Sequence, residues 1–356
     1  MDTSIWNEYD KITTLGTSLF AIVYKGRRKK DNKIVSIKEY NRYQEGAIET
    51  YEKDVKYMEE LKSDYTIKKI DEKQTNDYSY IIREYCYGSL EEFIKSHDDG
   101  MKPFEIQKIL NQLIEPFKKL NEKKLIHKDI KPSNILFSFK GLNDFKAKLS
   151  GIYFCSKPGE EEDNGMKGMR YITPPEGLKG EPINMKYDIW SVGILIYFMI
   201  KGKYPFEGRR DLIVLSAIEN GINLNNLSGD NDLDELIQKC LEVDVKKRIS
   251  WEDFFKDKFL TKKFPEKKKK KGNKPMSEED KKKLEFMKNL KNKFPINKKN
   301  KVSSDFLVNP NAYQRLAKNC ISYDDEAMKK LNILINTFKD VSSQFISILK
   351  EDIYKK

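Results

Sequence analysis

The fold of this chain is decided at Leu125-Ile126-His127-Lys128-Asp129-Ile130-Lys131-Pro132-Ser133-Asn134-Ile135-Leu136, which lies within the second of two differently patterned parts of the sequence. In the first part, short β-rich runs predict strands at 9–16, 19–24, 33–40 and 78–85. One helical stretch, at 46–62, interrupts these strands. From Ser89 onward, apolar residues recur at helical spacing over 104–125, 188–201, 211–219 and 233–242. A strand-rich lobe followed by a helix-rich lobe is an α+β design, and ligands favour the cleft between such lobes.

The same twelve-residue stretch resembles the catalytic loop of eukaryotic protein kinases, His-Arg-Asp-Leu-Lys-Pro-x-Asn. In that family the acid accepts or orients the substrate hydroxyl proton, the lysine balances phosphate charge, and the amide ligates magnesium. The resemblance gives these roles to Asp129, Lys131 and Asn134. Pro132 after Lys131 is similar to the serine/threonine branch of the family. An ordinary polar loop is the alternative, but so many matching offsets rarely coincide by chance.

The resemblance extends over about 9–260 and implies a two-lobed protein-kinase-like fold. Val35-Ser36-Ile37-Lys38 is similar to the family's Val-Ala-Ile-Lys, so Lys38 is expected to contact the α- and β-phosphates of ATP. Pro174-Pro175-Glu176 resembles Ala-Pro-Glu, and Arg248 matches the arginine that pairs with its glutamate. The other nucleotide-binding positions that the resemblance implies are Gly16, Val23, Glu84, Cys86 and Leu136.

The glycine-rich loop of the family, Gly-x-Gly-x-x-Gly-x-Val, is only partly present. At 16–23 the chain keeps the first glycine and the valine, while Ser18 and Ala21 replace the other two glycines. Glycines there let backbone N–H groups approach phosphates closely, and each added Cβ crowds that approach. Serine and alanine are the smallest substitutes, so we expect nucleotide entry to be weakened and not excluded.

The magnesium motif shows a larger departure. Lys148-Leu149-Ser150-Gly151-Ile152-Tyr153 is similar to the family's Lys-Ile-Ser-Asp-Phe-Gly, which puts Gly151 where the magnesium-binding Asp stands. An alignment slipped by two residues also lacks the Asp. Loss of one such electrostatic group commonly costs about 10²–10³ in rate. Asn134 remains as a magnesium ligand, and Asp144 or the acidic cluster at 160–163 are further candidate donors.

Two substitutions affect the partner of Lys38. The apolar spacing of the 46–62 helix puts Asp54 where the family has a glutamate that pairs with this lysine, with Glu52 as a weaker candidate. Arg83 stands at the gatekeeper position at the back of the pocket, which usually holds an apolar or small residue. A buried arginine must be paired. We therefore predict that Arg83 pairs with Asp54 in competition with Lys38.

The charge of the chain is concentrated in one segment. The full sequence has a net charge of +12 over 356 residues, yet 1–260 carries a net −1 and 302–356 a net +1. The 41 residues at 261–301 hold 17 basic and 5 acidic side chains. This segment has too little apolar material to fold alone. It is either a solvated spacer or a contact for an anionic partner such as nucleic acid, anionic lipid or an acidic protein.

Four segments follow from these patterns. They are an N-terminal extension at 1–8, a protein-kinase-like domain at 9–260, a Lys-rich linker at 261–301 and a helical C-terminal segment at 302–356. An apolar stripe of helical period between 324 and 353 supports the last of them. We expect this stripe to dock on the kinase-like body or to form a small helical hairpin, and the alternative is a coiled coil or a partner-binding helix.

Composition excludes several classes of protein. The longest apolar run, at 194–200, is far too short to span a bilayer, and the N-terminus lacks the pattern of a secretory signal. Four widely separated cysteines favour reduced thiols inside a cell, and only two histidines argue against a histidine-based metal site. We expect a cytoplasmic protein, with a nuclear alternative from the lysine run at 267–271.

Three functions remain open at this point. The degenerate metal motif favours a pseudokinase or a weakly active kinase. The intact catalytic loop favours an active, divergent serine/threonine kinase that transfers the γ-phosphate of ATP with Asp129 as base. The third is an adaptor that acts through its basic tail. ATP and Mg²⁺ are the cofactors that the resemblance implies, with Mg²⁺ binding in doubt at Gly151, and the partner is a protein substrate or a regulatory protein.

Overall fold

The computed structural model describes residues 5–95, 100–139, 145–160, 170–208 and 210–264. The chain divides into two compact units, Met1–Lys263 and Phe264–Lys356, and the fold below is that of the first. Nearly all of the Lys-rich linker predicted at 261–301 and the whole of the C-terminal segment predicted at 302–356 lie outside the described residues.

The N-terminal lobe is a five-stranded antiparallel sheet with one helix. Its strands follow the order β1-β2-β3-β5-β4 across the sheet. They are β1 (Tyr9–Thr17), β2 (Ala21–Arg28), β3 (Lys33–Asn41), β4 (Lys69–Gln74) and β5 (Tyr78–Glu84), and the helix α1 is Ala47–Glu60. The turn between β2 and β3 closes where Asn32 adopts a left-handed conformation, a role for which asparagine is suited.

Strand β4 is absent from the sequence-based prediction. Its sequence, Lys-Ile-Asp-Glu-Lys-Gln, is polar and partly exposed along its length. It lies at the edge of the sheet and pairs only with β5. Edge strands of this kind carry charged residues that discourage pairing with other chains, so they lack the alternating apolar pattern of buried strands.

The C-terminal lobe is helical, with a small three-stranded sheet facing the cleft. That sheet consists of β6 (Gly88–Ser89), β7 (Ile135–Phe139) and β8 (Phe145–Leu149). The helices are α2 (Leu90–Lys95), α3 (Pro103–Glu122), α4 (Pro175–Lys179), α5 (Tyr187–Lys201), α6 (Asp211–Glu219), α7 (Asn231–Cys240), α8 (Trp251–Phe254) and α9 (Lys258–Thr261). The α+β, two-lobed design predicted from the sequence is confirmed.

Helix α5 is the centre of this lobe. It is apolar on nearly all sides and 12 of its residues are buried, as expected of a helix that crosses a protein core. Within the part of the chain that the structure describes, no helix has the length and apolarity needed to cross a bilayer.

A buried ion pair joins α4 to the loop after α7. Nη1 and Nη2 of Arg248 lie 2.6 and 2.9 Å from the two carboxylate oxygens of Glu176, a bidentate geometry. Arg248 is 1% exposed and its Nε also donates to the carbonyl of Glu242. The pair implied by the family resemblance is confirmed, and it fastens the segment that follows the catalytic loop to the helical core.

We expect Arg248→Leu to lower the free energy of unfolding by about 3–5 kcal/mol, because the carboxylate of Glu176 would remain buried without its partner. Urea denaturation followed by tryptophan fluorescence measures this change. Arg28→Leu is the matched control, since Arg28 pairs with a surface aspartate, Asp31, and should change stability far less. Equal effects of the two substitutions would contradict a structural role for the buried pair.

Candidate active site

The loop between α3 and β7 is held in place by a carboxylate of α5. Asp188, buried at 1% exposure, accepts the backbone N–H of His127 at 2.6 Å and that of Lys128 at 2.9 Å. Lys128 adopts a positive φ of 64°, an unusual conformation for a lysine. The two hydrogen bonds fix this turn and so direct the residues that follow it into the cleft.

The ring of His127 bridges the loop to β8. The backbone N–H of Asp129 donates to Nδ1 at 3.2 Å, so Nε2 carries the proton and donates to the carbonyl of Ser150 at 3.1 Å. The side chain is fully buried, and this burial lowers its pKa to about 3. His127 is therefore neutral and serves to position Asp129 against the end of β8.

The structure brings Asp129, Lys131 and Asn134 together. Nζ of Lys131 lies 2.8 Å from Oδ1 of Asp129, and Nδ2 of Asn134 donates to Oδ2 at 2.6 Å. The same Nδ2 lies 2.8 Å from the carbonyl oxygen of Asp129. Burial raises the pKa of Asp129, and the charge of Lys131 and the two side-chain hydrogen bonds oppose the rise. Both carboxylate oxygens are already bonded to N–H donors.

Because Gly151 has no side chain, the side chain of Asn134 can lie directly against its Cα. Its φ is +81°, in the left-handed region, and it precedes a short 3₁₀ helix, Ile152–Phe154. A Cβ on Gly151 would lie 2.5 Å from Nδ2 and 2.8 Å from Cγ of Asn134. Any side chain at position 151 therefore needs Asn134 to move, and glycine is suited both to the backbone conformation and to the contact.

This group of residues does not fit a Mg²⁺ ion. Magnesium takes oxygen ligands in octahedral geometry, commonly one or two carboxylates together with substrate phosphates. Here Asn134 directs its N–H group at Asp129, and the second acid is replaced by Gly151. The further donors considered from the sequence, Asp144 and the acids at 161–163, lie outside the described residues.

Lys38 and Asp54 form an ion pair in the N-terminal lobe. Nζ of Lys38 lies 2.8 Å from Oδ2 of Asp54, and the hydroxyl of Tyr40 donates to the same oxygen at 2.7 Å. The alternative partner, Glu52, is exposed. Burial lowers the pKa of Lys38, with Asp54 opposing and the charge of Arg83 adding to the shift. Burial acts to raise the pKa of Asp54, but Lys38 and then Arg83 outweigh it, and the net shift is downward.

The ion pair predicted between Arg83 and Asp54 is not formed. Arg83 is buried, at 9% exposure, as expected for a gatekeeper position. Among the residues that the structure describes, however, Lys38 is the cation that pairs with Asp54, and Nε of Arg83 has no acceptor. Both partners of Asp54, Lys38 and Tyr40, bond its Oδ2 atom, and the carboxylate charge is therefore matched by Lys38.

The loop at 16–23 closes on itself. The backbone N–H of Ser18 donates to the carbonyl of Ala21 at 2.8 Å, and the N–H of Ala21 donates to Oγ of Ser18 at 3.2 Å. The two residues that stand where the family has glycine are therefore hydrogen-bonded to each other. Gly16 and Val23 are paired across the β1–β2 ladder, and Val23 also faces Lys38 across the β2–β3 ladder.

The segment after β5 carries contacts that the sequence did not predict. Oγ of Ser36 donates to the carbonyl of Glu84 at 3.2 Å, and Oε1 of Glu84 lies 2.8 Å from Nζ of Lys148. Burial raises the pKa of Cys86 to about 12. Leu136 is partly buried and pairs with Lys148 across the β7–β8 ladder. For the contact between Ser36 and Glu84, the only signal in the sequence is a serine at position 36 where the family has alanine.

Tyr153 is a further cleft residue that sequence reasoning did not assign. Its ring centroid lies 4.0 Å from Nζ of Lys38, a cation–π geometry. Burial raises the pKa of Tyr153, with the charges of Asp129 and then Asp54 adding to the rise. The sequence signal that could have indicated this residue is an aromatic side chain at the position where the family has the glycine of Asp-Phe-Gly. Tyr153 therefore lies beside the lysine that would contact phosphates.

A β-rich lobe, a helical lobe and a cleft lined by Lys38, Asp54 and Asp129 define a phosphotransferase-type fold. The family model described as "Protein kinase domain" matches residues 9–260, and the chain belongs to this family. Members of the family generally use ATP and Mg²⁺ and act on protein substrates.

Several curated proteins are similar to this chain over its kinase domain. Serine/threonine-protein kinase ULK3 of Mus musculus is 29% identical over 254 residues, covering 68% of this chain and 52% of that protein. Serine/threonine-protein kinase atg1 of Aspergillus clavatus is 24% identical over 311 residues, covering 71% and 34%. Calcium-dependent protein kinase 5 of Plasmodium berghei is 29% identical over 248 residues, covering 68% and 43%. The matched part of this chain spans about half or less of these relatives.

The buried neutral state of His127 predicts a pH dependence of stability. In the unfolded chain its pKa is near 6.5, whereas in the folded state it is about 3. The unfolded state therefore binds a proton that the folded state does not, and stability falls as the pH decreases below 6.5. The contribution of this group is up to about 1.4 kcal/mol per pH unit.

We expect His127→Gln to have a shallower fall in unfolding free energy than the wild type between pH 6.5 and 5.0. Urea denaturation at several pH values measures both slopes, and groups that titrate in both proteins cancel in the difference. Identical slopes would contradict the neutral, buried assignment even if the variant is less stable overall.

Proposed function

We propose that this protein is a pseudokinase or a very weak kinase, with a kinase fold kept for binding or regulation and little metal-dependent phosphotransfer. One observation carries the proposal. The amide of Asn134 lies beside Gly151 and donates to Asp129, so the position that supplies a magnesium ligand in the family lacks the acid, and a side chain there would need Asn134 to move.

Three further contacts support weak or altered nucleotide chemistry. The N–H groups of Ser18 and Ala21, in the loop that covers phosphates in the family, are bonded within the loop. The Tyr153 ring lies on the ammonium group of Lys38. Oγ of Ser36 donates to the carbonyl of Glu84, an acceptor on the segment where the resemblance expects adenine. A nucleotide that enters this cleft must compete with these internal contacts.

An active, divergent serine/threonine kinase is the second candidate. The Lys38–Asp54 pair and the Asp129–Lys131 pair, each at 2.8 Å, favour it. The relatives named above are serine/threonine or calcium-dependent protein kinases, which also favours it. In this candidate Asp129 is the base and Lys131 and Lys38 contact phosphates.

The adaptor function stays a prediction of the sequence. It depends on the basic residues of 261–301, most of which lie outside the described residues. The same holds for an anionic partner of that segment and for the proposed boundaries of the linker and the C-terminal helices.

Transfer of the γ-phosphate of ATP to a generic protein substrate and to the chain itself separates the first two candidates. We expect the wild type, with Mg²⁺ or with Mn²⁺, to show little or no transfer above the level of Asp129→Asn. Radiolabelled ATP and full-length protein are suitable for the measurement. Sustained, multiple-turnover transfer that Asp129→Asn abolishes would instead establish the active kinase.

Substitutions at Gly151 test whether this position accounts for the proposed weakness of metal-dependent phosphate transfer. We expect Gly151→Ala and Gly151→Asp each to destabilise the fold by about 1–2 kcal/mol, because both need a left-handed backbone and displacement of Asn134. With ADP present, Mg²⁺ should raise the melting temperature of Gly151→Asp but not that of the wild type or of the alanine control. An equal magnesium effect on the wild type would show that its site already holds the ion.

A further inference from the structure

One buried cation of the cleft has no acidic partner within the described residues. Three lysines each lie 2.8 Å from one carboxylate, in the pairs Lys38–Asp54, Lys131–Asp129 and Lys148–Glu84. Arg83 is a fourth cation, at 9% exposure, and no acid lies within ion-pair distance of it in the part of the chain that the structure describes. Its Nε is buried without an acceptor.

The position of Arg83 on the sheet directs it into the cleft. Arg83 of β5 is the cross-strand partner of Ser36 of β3. Ser36 and Lys38 are two residues apart on one strand, so all three side chains lie on the same face. Ser36 does not balance the charge of Arg83, because it is a neutral hydroxyl, and the hydrogen bond it makes is to the carbonyl of Glu84.

An unpaired charge in this setting favours an anionic ligand. A guanidinium has five N–H donors and no acceptor, and its planar fork matches a carboxylate or phosphate group bidentately. A buried charge without a partner is costly, and a ligand anion that pairs with it removes that cost. The ammonium of Lys38 lies on the same face, but Asp54 balances its charge, so Arg83 supplies the net positive charge of this face.

We propose that the back of the cleft, at Arg83, binds a small oxyanion, meaning a carboxylate or phosphate group, without a divalent metal. The group would be held by the Arg83 fork on the sheet face shared with Ser36 and Lys38. The phosphate could be inorganic or part of a nucleotide. This site does not depend on whether the protein transfers phosphate, since none of its residues is Asp129 or Asn134.

The experiment is thermal denaturation of the full chain with a chelator at constant ionic strength. The probes are inorganic phosphate, acetate and metal-free ATP, with chloride as the reference anion and adenosine as the phosphate-free control. A ligand that binds only the folded state raises the melting temperature in a saturable way. We expect such a rise with at least one oxyanion, and ATP above inorganic phosphate would indicate a nucleotide source.

Substitutions assign the effect to Arg83. Arg83→Met and Arg83→Gln should weaken the response about 10–100-fold, the usual range for a lost charge-assisted hydrogen bond. Arg28→Met removes the same charge from the protein surface and should leave the response unchanged. In chloride alone, we expect Arg83→Met to melt at or above the wild type, because it replaces an unpaired buried charge with an apolar side chain.

Three results would overturn the proposal. One is the absence of a saturable response of the wild type to all three oxyanion probes. Another is an equal response from the wild type and both Arg83 variants, which would place the anion elsewhere, for example on the lysine-rich segment. The third is an adenosine response as large as that of ATP, which would assign binding to the base and not to the oxyanion.

Discussion

The carboxylate of Asp188 is the constraint on which the arrangement of the cleft depends. It lies on the most buried helix of the C-terminal lobe and accepts two consecutive backbone N–H groups, those of His127 and Lys128. These bonds hold Lys128 in a conformation that lysine seldom adopts. From that turn, the ring of His127 connects Asp129 to Ser150, and thereby the loop to the strand that leads to Gly151. The helical core thus determines where the acid of the cleft stands.

The residues that pack around the proposed magnesium motif and those that would bind a metal are different side chains. Ile152 is fully buried where the family has phenylalanine, and Met58 and His127 are buried as well. The apolar and structural residues around the magnesium motif therefore still form a core. At its polar edge stands Gly151, and the amide of Asn134 donates to Asp129. A fold can be retained for its stability while the electrostatics that accelerate transfer are lost, because different side chains supply the two properties.

The sequence predicts the fold and the local groups well because both depend on short spacings. The catalytic loop and the strand carrying Lys38 are contiguous motifs, and Asp129, Lys131 and Asn134 are brought together within a single turn. The pairing of Arg83 could not be predicted in the same way. Which cation reaches Asp54 depends on distances between β3, β5 and α1, and Tyr40 adds a hydroxyl that no motif indicates. The polar edge strand β4 and the Ser36–Glu84 bond were missed for related reasons, since neither leaves an apolar period in the sequence.

The contact between Gly151 and Asn134 also bears on how these two positions can be substituted. A single substitution that places an acid at position 151 brings its Cβ to 2.5 Å from the amide nitrogen of Asn134, so the amide must move. Moving the amide first would remove one of its bonds to Asp129 before anything is gained. The two positions are coupled, and their substitutions should not be additive. An acidic side chain at position 151 is therefore accommodated best when Asn134 is substituted in the same protein.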